Sequence, residues 1–280
     1  MSIRKAMLPA GWYPREASSV RHAIEGWHIL PAGEKWRAAV APHAGWTFSG
    51  RIASIAWSAL AEAETIVIVG GHLGPSSPIL IAQEEGFESP FGPISADVEL
   101  RERLRGALAE ASIPVSADRA VDNTVEVHLP FMGAFAPGAR LLWLRAPASG
   151  AAISLGAALH EAAASLGREI AVIGSTDLTH YGPDYGFEPA GKGPKAESWV
   201  REVNDRAFLD ALLALDPDAA IGRALQDGSA CSPGAAATAL SFALAAGARE
   251  FSELAYGTSL DIRAAASFVG YAALAGARRG

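Results

Sequence analysis

Two histidines in this sequence directly follow apolar runs and sit beside glycine. They are His43 in PHAGW and His72 in GGHLGP. Imidazole is the commonest neutral metal ligand in proteins, and a thiolate can join it. The one cysteine, Cys231, completes a three-donor set with them. Such a set leaves positions open for water or substrate, as catalytic metal sites do. Plainer readings stand beside this one. A histidine at a strand end can simply cap a helix or bond a loop, and an unpaired cysteine is among the most buried residue types. The contiguous metal motifs CxxC and HExxH are absent from the chain.

A second cluster is STDLTHYG at 175–182. Asp177 and His180, three apart, either pair locally around a turn or serve as general acid and base. Ser175 lies beside them, but no G-x-S-x-G elbow supports a serine nucleophile. A G-x-G-x-x-G nucleotide fingerprint is also missing after the early strands. In DNTVEVHLP at 122–130, Thr124 can cap a helix. Glu126 and His128 can orient a ligand from behind, or Glu126 can face solvent. Trp46 and Phe48 either line a pocket or pack in the core.

The elements that must position these groups are legible as periodicity. Apolar runs at 35–42, 65–70, 78–82, 140–145 and 169–174 read as strands, with TIVIVG at 65–70 buried on both faces. Helical spacing marks 51–63, 97–112, 151–166, 195–215, 216–226 and 233–246, with Asp97 a cap for the second. A further helix at 124–134 must bend or break at Pro130. The segments 253–256 and 265–273 read as a closing strand pair. The Gly- and Pro-rich 84–95 reads as a loop, and 188–195 as a surface excursion. Strands alternating with helices predict an α/β fold in one domain over 1–280, with a mainly parallel central sheet flanked by helices. Ligands gather at the carboxyl ends of such strands. His43, His72 and the 175–182 cluster all fall there.

Composition narrows the function classes. Half of the 280 residues are apolar and the formal net charge is −7, which excludes disorder. No Lys/Arg-rich block is present to grip nucleic acid. No apolar stretch approaches the roughly 18 residues of a membrane span. The first residues lack a continuous apolar core, so no secretory leader is expected. A soluble, cytoplasmic protein without an internal disulfide is the expectation.

The motifs also occur in a recognisable order: LPAGWYP at 8–14, APHAGWTFSG at 41–50, GGH at 70–72, SPFG at 89–92 with Asp97, VEVHLPF at 125–131, STDLTHYG at 175–182, AC at 230–231, YGTS at 256–259 and VGY at 269–271. In this the sequence resembles the Memo family, known in prokaryotes as AmmeMemoRadiSam system protein B. The resemblance implies a fold like the class III, extradiol-type non-haem iron dioxygenases. It implies a metal site of His43, His72 and Cys231, with Asp177 and His180 near the same cleft, and iron or copper as the metal. It also implies AMMECR-type and radical-SAM pathway partners. The expected function is therefore a mononuclear iron (Fe2+) redox enzyme, with copper competing for the site and an unknown small molecule or peptide as substrate. A zinc-type hydrolase with His180 as base, or a non-catalytic peptide- or protein-binding module, are the alternatives. Three departures from the family pattern stand out. Asn123 occupies a position where relatives often carry histidine, Cys231 is followed by Ser-Pro-Gly rather than glycine, and His72 lies in GGHLGP.

Overall fold

The structure is a computed structural model and describes residues 2–29 and 33–278. Its strands are β1 (Ile3–Arg4), β2 (Trp36–Ala41), β3 (Thr65–Gly70), β4 (Ile79–Ile81), β5 (Gly86–Phe87), β6 (Ile94–Ser95), β7 (Val115–Ala117), β8 (Arg140–Arg145), β9 (Ile170–Ser175), β10 (His180–Tyr181), β11 (Phe251–Thr258) and β12 (Phe268–Arg278). Nine of them form one sheet, ordered β10-β12-β2-β9-β3-β8-β4-β7 with β11 alongside β12. The centre, β2-β9-β3-β8, is parallel. Its flanks are antiparallel, where β12 meets β2 and β4 meets β8. The sheet is thus mixed, with the expected parallel order at its heart. The hairpin-like pair β11–β12 supplies the antiparallel side, because two strands joined by a short connection run in opposite directions.

Side-chain alternation places a separate core on each face. Val40, Val67, Leu142 and Val172 point one way. Ala41, Ile68, Trp143 and Ile173 point the other. The first face is covered by α3 (Val98–Glu110), α6 (Gly150–Ser165), α8 (Asp205–Leu213), α9 (Pro217–Asp227) and α10 (Pro233–Ala245). The second is covered by α1 (Ala17–Gly26), α2 (Trp46–Ala59) and α5 (Leu129–Phe135). Helix α10 is buried along nearly its whole length, and alanine is its commonest residue. It lies so close to the sheet that a Cβ on Gly174 would meet the Ala235 carbonyl oxygen at 2.4 Å.

Four expectations need correction. The expected loop at 84–95 contains β5 and β6, which pair with each other while β5 also pairs with β1. Helix α2 begins at Trp46 rather than at 51; it buries Ser49, Ser54 and Ser58 along with its apolar residues, which blurs the polar and apolar faces that would mark its start. Pro130 does break the 124–134 segment, into α4 (Asn123–Glu126) and α5. Asp122, not Thr124, caps α4, its carboxylate accepting from the Thr124 N–H. The long 195–215 helix is interrupted by a π turn, Val200–Asn204, between α7 (Pro194–Trp199) and α8.

Candidate metal centre

Register brings the strand ends together. Ala41 of β2 lies opposite Ser175 of β9, and Gly70 of β3 opposite Arg145 of β8. The residues just beyond these ends therefore share one rim. His43 leaves β2 and is held by its backbone N–H, which donates to Asp177 Oδ1 at 2.7 Å. His72 leaves β3 in the left-handed region, φ 58°. Its N–H donates to Ser232 Oγ at 3.1 Å. A Cβ on Gly71 would fall 2.3 Å from that serine's Cβ, so only glycine lets β3 end this close to the start of α10. Cys231 sits between α9 and α10. Its N–H donates to the Asp177 carbonyl, tying the thiol loop to the 175–182 loop.

The ligand atoms of His43, His72 and Cys231 lie within 4.8 Å of one another. Cys231 Sγ is 3.2 Å from His43 Nε2, and the two imidazoles are nearly perpendicular with centroids 5.0 Å apart. Exposure is graded: His43 is buried, Cys231 half-buried and His72 exposed. The electrostatics fit a thiolate between cations. Burial alone would raise the Cys231 thiol, but His43 by charge and hydrogen bond, then His72 and His180, hold it well below the usual thiol range. The Asp122 carboxylate, then Cys231, push His72 up to about 10. Burial opposes protonation of His43, while Cys231 and Asp177 outweigh it and raise that ring.

Comparison with known proteins now bears on this geometry. A family model described as Memo-like protein matches residues 4–275. The chain belongs to the Memo-like family. Among curated Memo-family relatives, a MEMO1 family protein of Thermococcus onnurineus is 33% identical over 97% of this chain and 98% of its own length. One from Pyrococcus abyssi is also 33% identical, with the same coverage. One from Methanothermobacter thermautotrophicus is 29% identical over 97% of this chain and 99% of its own. Among solved structures, an uncharacterized protein of Escherichia coli K12 shares the fold, with TM-score 0.52 and 15% identity over 85% of this chain and 99% of that one.

Within this Memo-like frame the other expected site residues part ways. Ser175 and His128 lie directly behind His43: Ser175 Oγ is 2.9 Å from His43 Nδ1 and 2.9 Å from His128 Nε2. Asp177 and His180 do not form the local pair considered from their spacing. Asp177 accepts from the His43 and Ala44 amides. His180 Nδ1 donates to the Leu178 carbonyl, and its ring stands edge-on to Tyr185 at 4.9 Å. Glu126 does not face solvent, and its hydrogen bonds run to the N-terminal segment and not to the three donors. It is buried and accepts from the Met7 and Leu8 amides and the Tyr13 hydroxyl, so it staples the N-terminal segment. Trp46 is a core residue stacked on Phe131 at 4.0 Å, its indole N–H donating to the Val127 carbonyl.

Sequence reasoning missed three partners. Asp122 Oδ2 lies 3.1 Å from His72 Nδ1 and 3.1 Å from Arg145 Nη2. Arg145 also donates to the Gly71 carbonyl. Asn123, the departure from the family pattern, donates its amide to the His43 carbonyl at 3.0 Å. A carboxylate one residue ahead of a helix, close in sequence to His128, was the only available signal for Asp122.

Proposed function

We propose that this chain binds one transition-metal ion through His43, His72 and Cys231 and uses it for redox chemistry on a small molecule or peptide. The observation that carries the reading is the convergence of the three donors within 4.8 Å from three distant parts of the chain. The donor set suits the group: a thiolate and two imidazoles favour iron, copper or zinc over magnesium or calcium. His72 presents a second feature of metal-ligating histidines, its other ring nitrogen resting on a carboxylate. A bound iron or copper ion would supply one-electron chemistry, made more electron-rich by the thiolate. The protein's own groups would do the rest. Asp177 fixes the His43 backbone, and half-exposed His180 leaves Nε2 free to exchange a proton at the rim.

The test is metal content of protein purified without oxygen or chelators, beside His43→Ala and Cys231→Ala. Near-stoichiometric iron or copper in the wild type, lost in both variants, supports the reading. Zinc, with zinc-dependent ester or amide hydrolysis and no redox activity, replaces it by the hydrolase. No metal after reconstitution, with partner binding unchanged in His43→Ala plus His72→Ala, replaces it by the binding module. In the Memo-like frame AMMECR-type and radical-SAM proteins are the partners to try first.

A further inference from the structure

Behind His43 runs a buried line of hydrogen bonds. Trp57 Nε1 is 3.1 Å from His128 Nδ1, His128 Nε2 is 2.9 Å from Ser175 Oγ, and Ser175 Oγ is 2.9 Å from His43 Nδ1. All four residues are buried. The direction of the first two bonds follows from atom type. An indole N–H donates and never accepts, so His128 Nδ1 must offer a lone pair. The His128 ring, neutral in this apolar setting, then carries its hydrogen on Nε2 and donates it to Ser175. That leaves the Ser175 hydroxyl one hydrogen and one lone pair for His43. It can donate to Nδ1 when that nitrogen is bare and accept from it when it carries a hydrogen. The contrast with His72 is chemical: its Nδ1 faces the Asp122 carboxylate, which only accepts. The series also ends at Trp57, a group that cannot pass a proton on, so it is no route for protons to solvent.

We propose that Ser175 and His128 are positioning residues for His43, a relay oriented by Trp57 that keeps the His43 ring aimed at Cys231 and His72 whichever of its nitrogens carries hydrogen. The proposal rests on the metal-binding reading above, and one arm of its test does not. In metal-free, 15N-histidine-labelled protein, long-range proton–nitrogen correlations should show His128 as the Nε2–H form, and Trp57→Phe should release it into a mixture. His128 found with hydrogen on Nδ1 in the wild type overturns the proposal without any metal being added.

The second arm uses Co2+ alone, followed by the thiolate-to-cobalt absorption band. Ser175→Ala should weaken Co2+ binding about 10- to 100-fold, the usual loss for a residue that orients a metal ligand, and shift the band. Ser175→Thr, which keeps the hydroxyl, should restore both. Unchanged affinity and band in Ser175→Ala, in protein whose circular dichroism matches the wild type, overturn the proposal. If the wild type gives no thiolate–cobalt band, the metal-binding reading fails, and the nitrogen correlations still decide whether the relay is oriented as described.

Discussion

At the scale of single residues, the two histidines of the triad differ in what stands behind them. His72 leans on Asp122, whose carboxyl is held below the ordinary range, burial raising it and the His72 and Thr124 hydrogen bonds and Arg145 outweighing that. A histidine whose folded pKa is raised adds stability that is complete below its unfolded value, about 6.5, and is lost as pH climbs through its folded value, about 10 here. In metal-free protein, the difference in melting temperature between wild type and Asp122→Asn should therefore be largest at and just below about pH 6.5 and shrink toward pH 10. A gap that stays constant over that range would show that Asp122 acts on His72 by shape and not by charge. His128 works in the opposite sense. Burial, then the nearby His43, lower it to about 3. The wild type should lose stability as pH falls from about 6.5 toward that value, and a His128→Asn variant should lose less over the same interval.

At the scale of elements, much of the rim was legible and its buttresses were not. The β-branched run at 65–70 and the apolar runs at 140–145 and 169–174 announce strands on local composition, and they are β3, β8 and β9. His43, His72 and Cys231 could be named because their residue types carry chemistry wherever they sit. The placement of Glu126 could not be read, since its partners lie more than a hundred residues away in the N-terminal segment. The start of α2 was hidden because a helix that buries serines beside its apolar residues shows only a blurred amphipathic stripe. The approach of β3 to α10 at Gly71 is equally non-local. Gly71→Ala should force Ser232 and the His72 backbone apart, costing about 1–3 kcal/mol in denaturant unfolding and weakening metal retention. Wild-type stability and metal content in that variant would mean the two elements separate without cost.

At the scale of the whole molecule, Glu126 joins the chain's beginning to the helix pair that carries His128. Its carboxylate takes the Met7 and Leu8 amides and the Tyr13 hydroxyl, with Arg15 at 3.9 Å. The same N-terminal segment reaches the rim, where the Trp12 carbonyl accepts from Trp46 N–H at the start of α2. Glu126→Ala leaves buried donors without an acceptor and should destabilise the protein by about 3 kcal/mol or more. Limited trypsin digestion should then cut at Arg15 well before the rest of the fold opens. Cleavage no faster than in the wild type would show that packing around Leu8 and Tyr13 suffices to hold the segment.

The alanine-rich helix α10 begins two residues after Cys231 and is pressed against the sheet over Gly174. The thiol thus takes its place from a helix with almost no room for larger side chains. Such a helix has little freedom to accept bulkier residues, although none of its side chains is among the three donors. A saturation scan scored by retained metal should find α10 nearly as intolerant of bulk as the three proposed ligands themselves. Tolerance to mutation in this protein would then map onto the tightness of its packing as well as onto its chemistry.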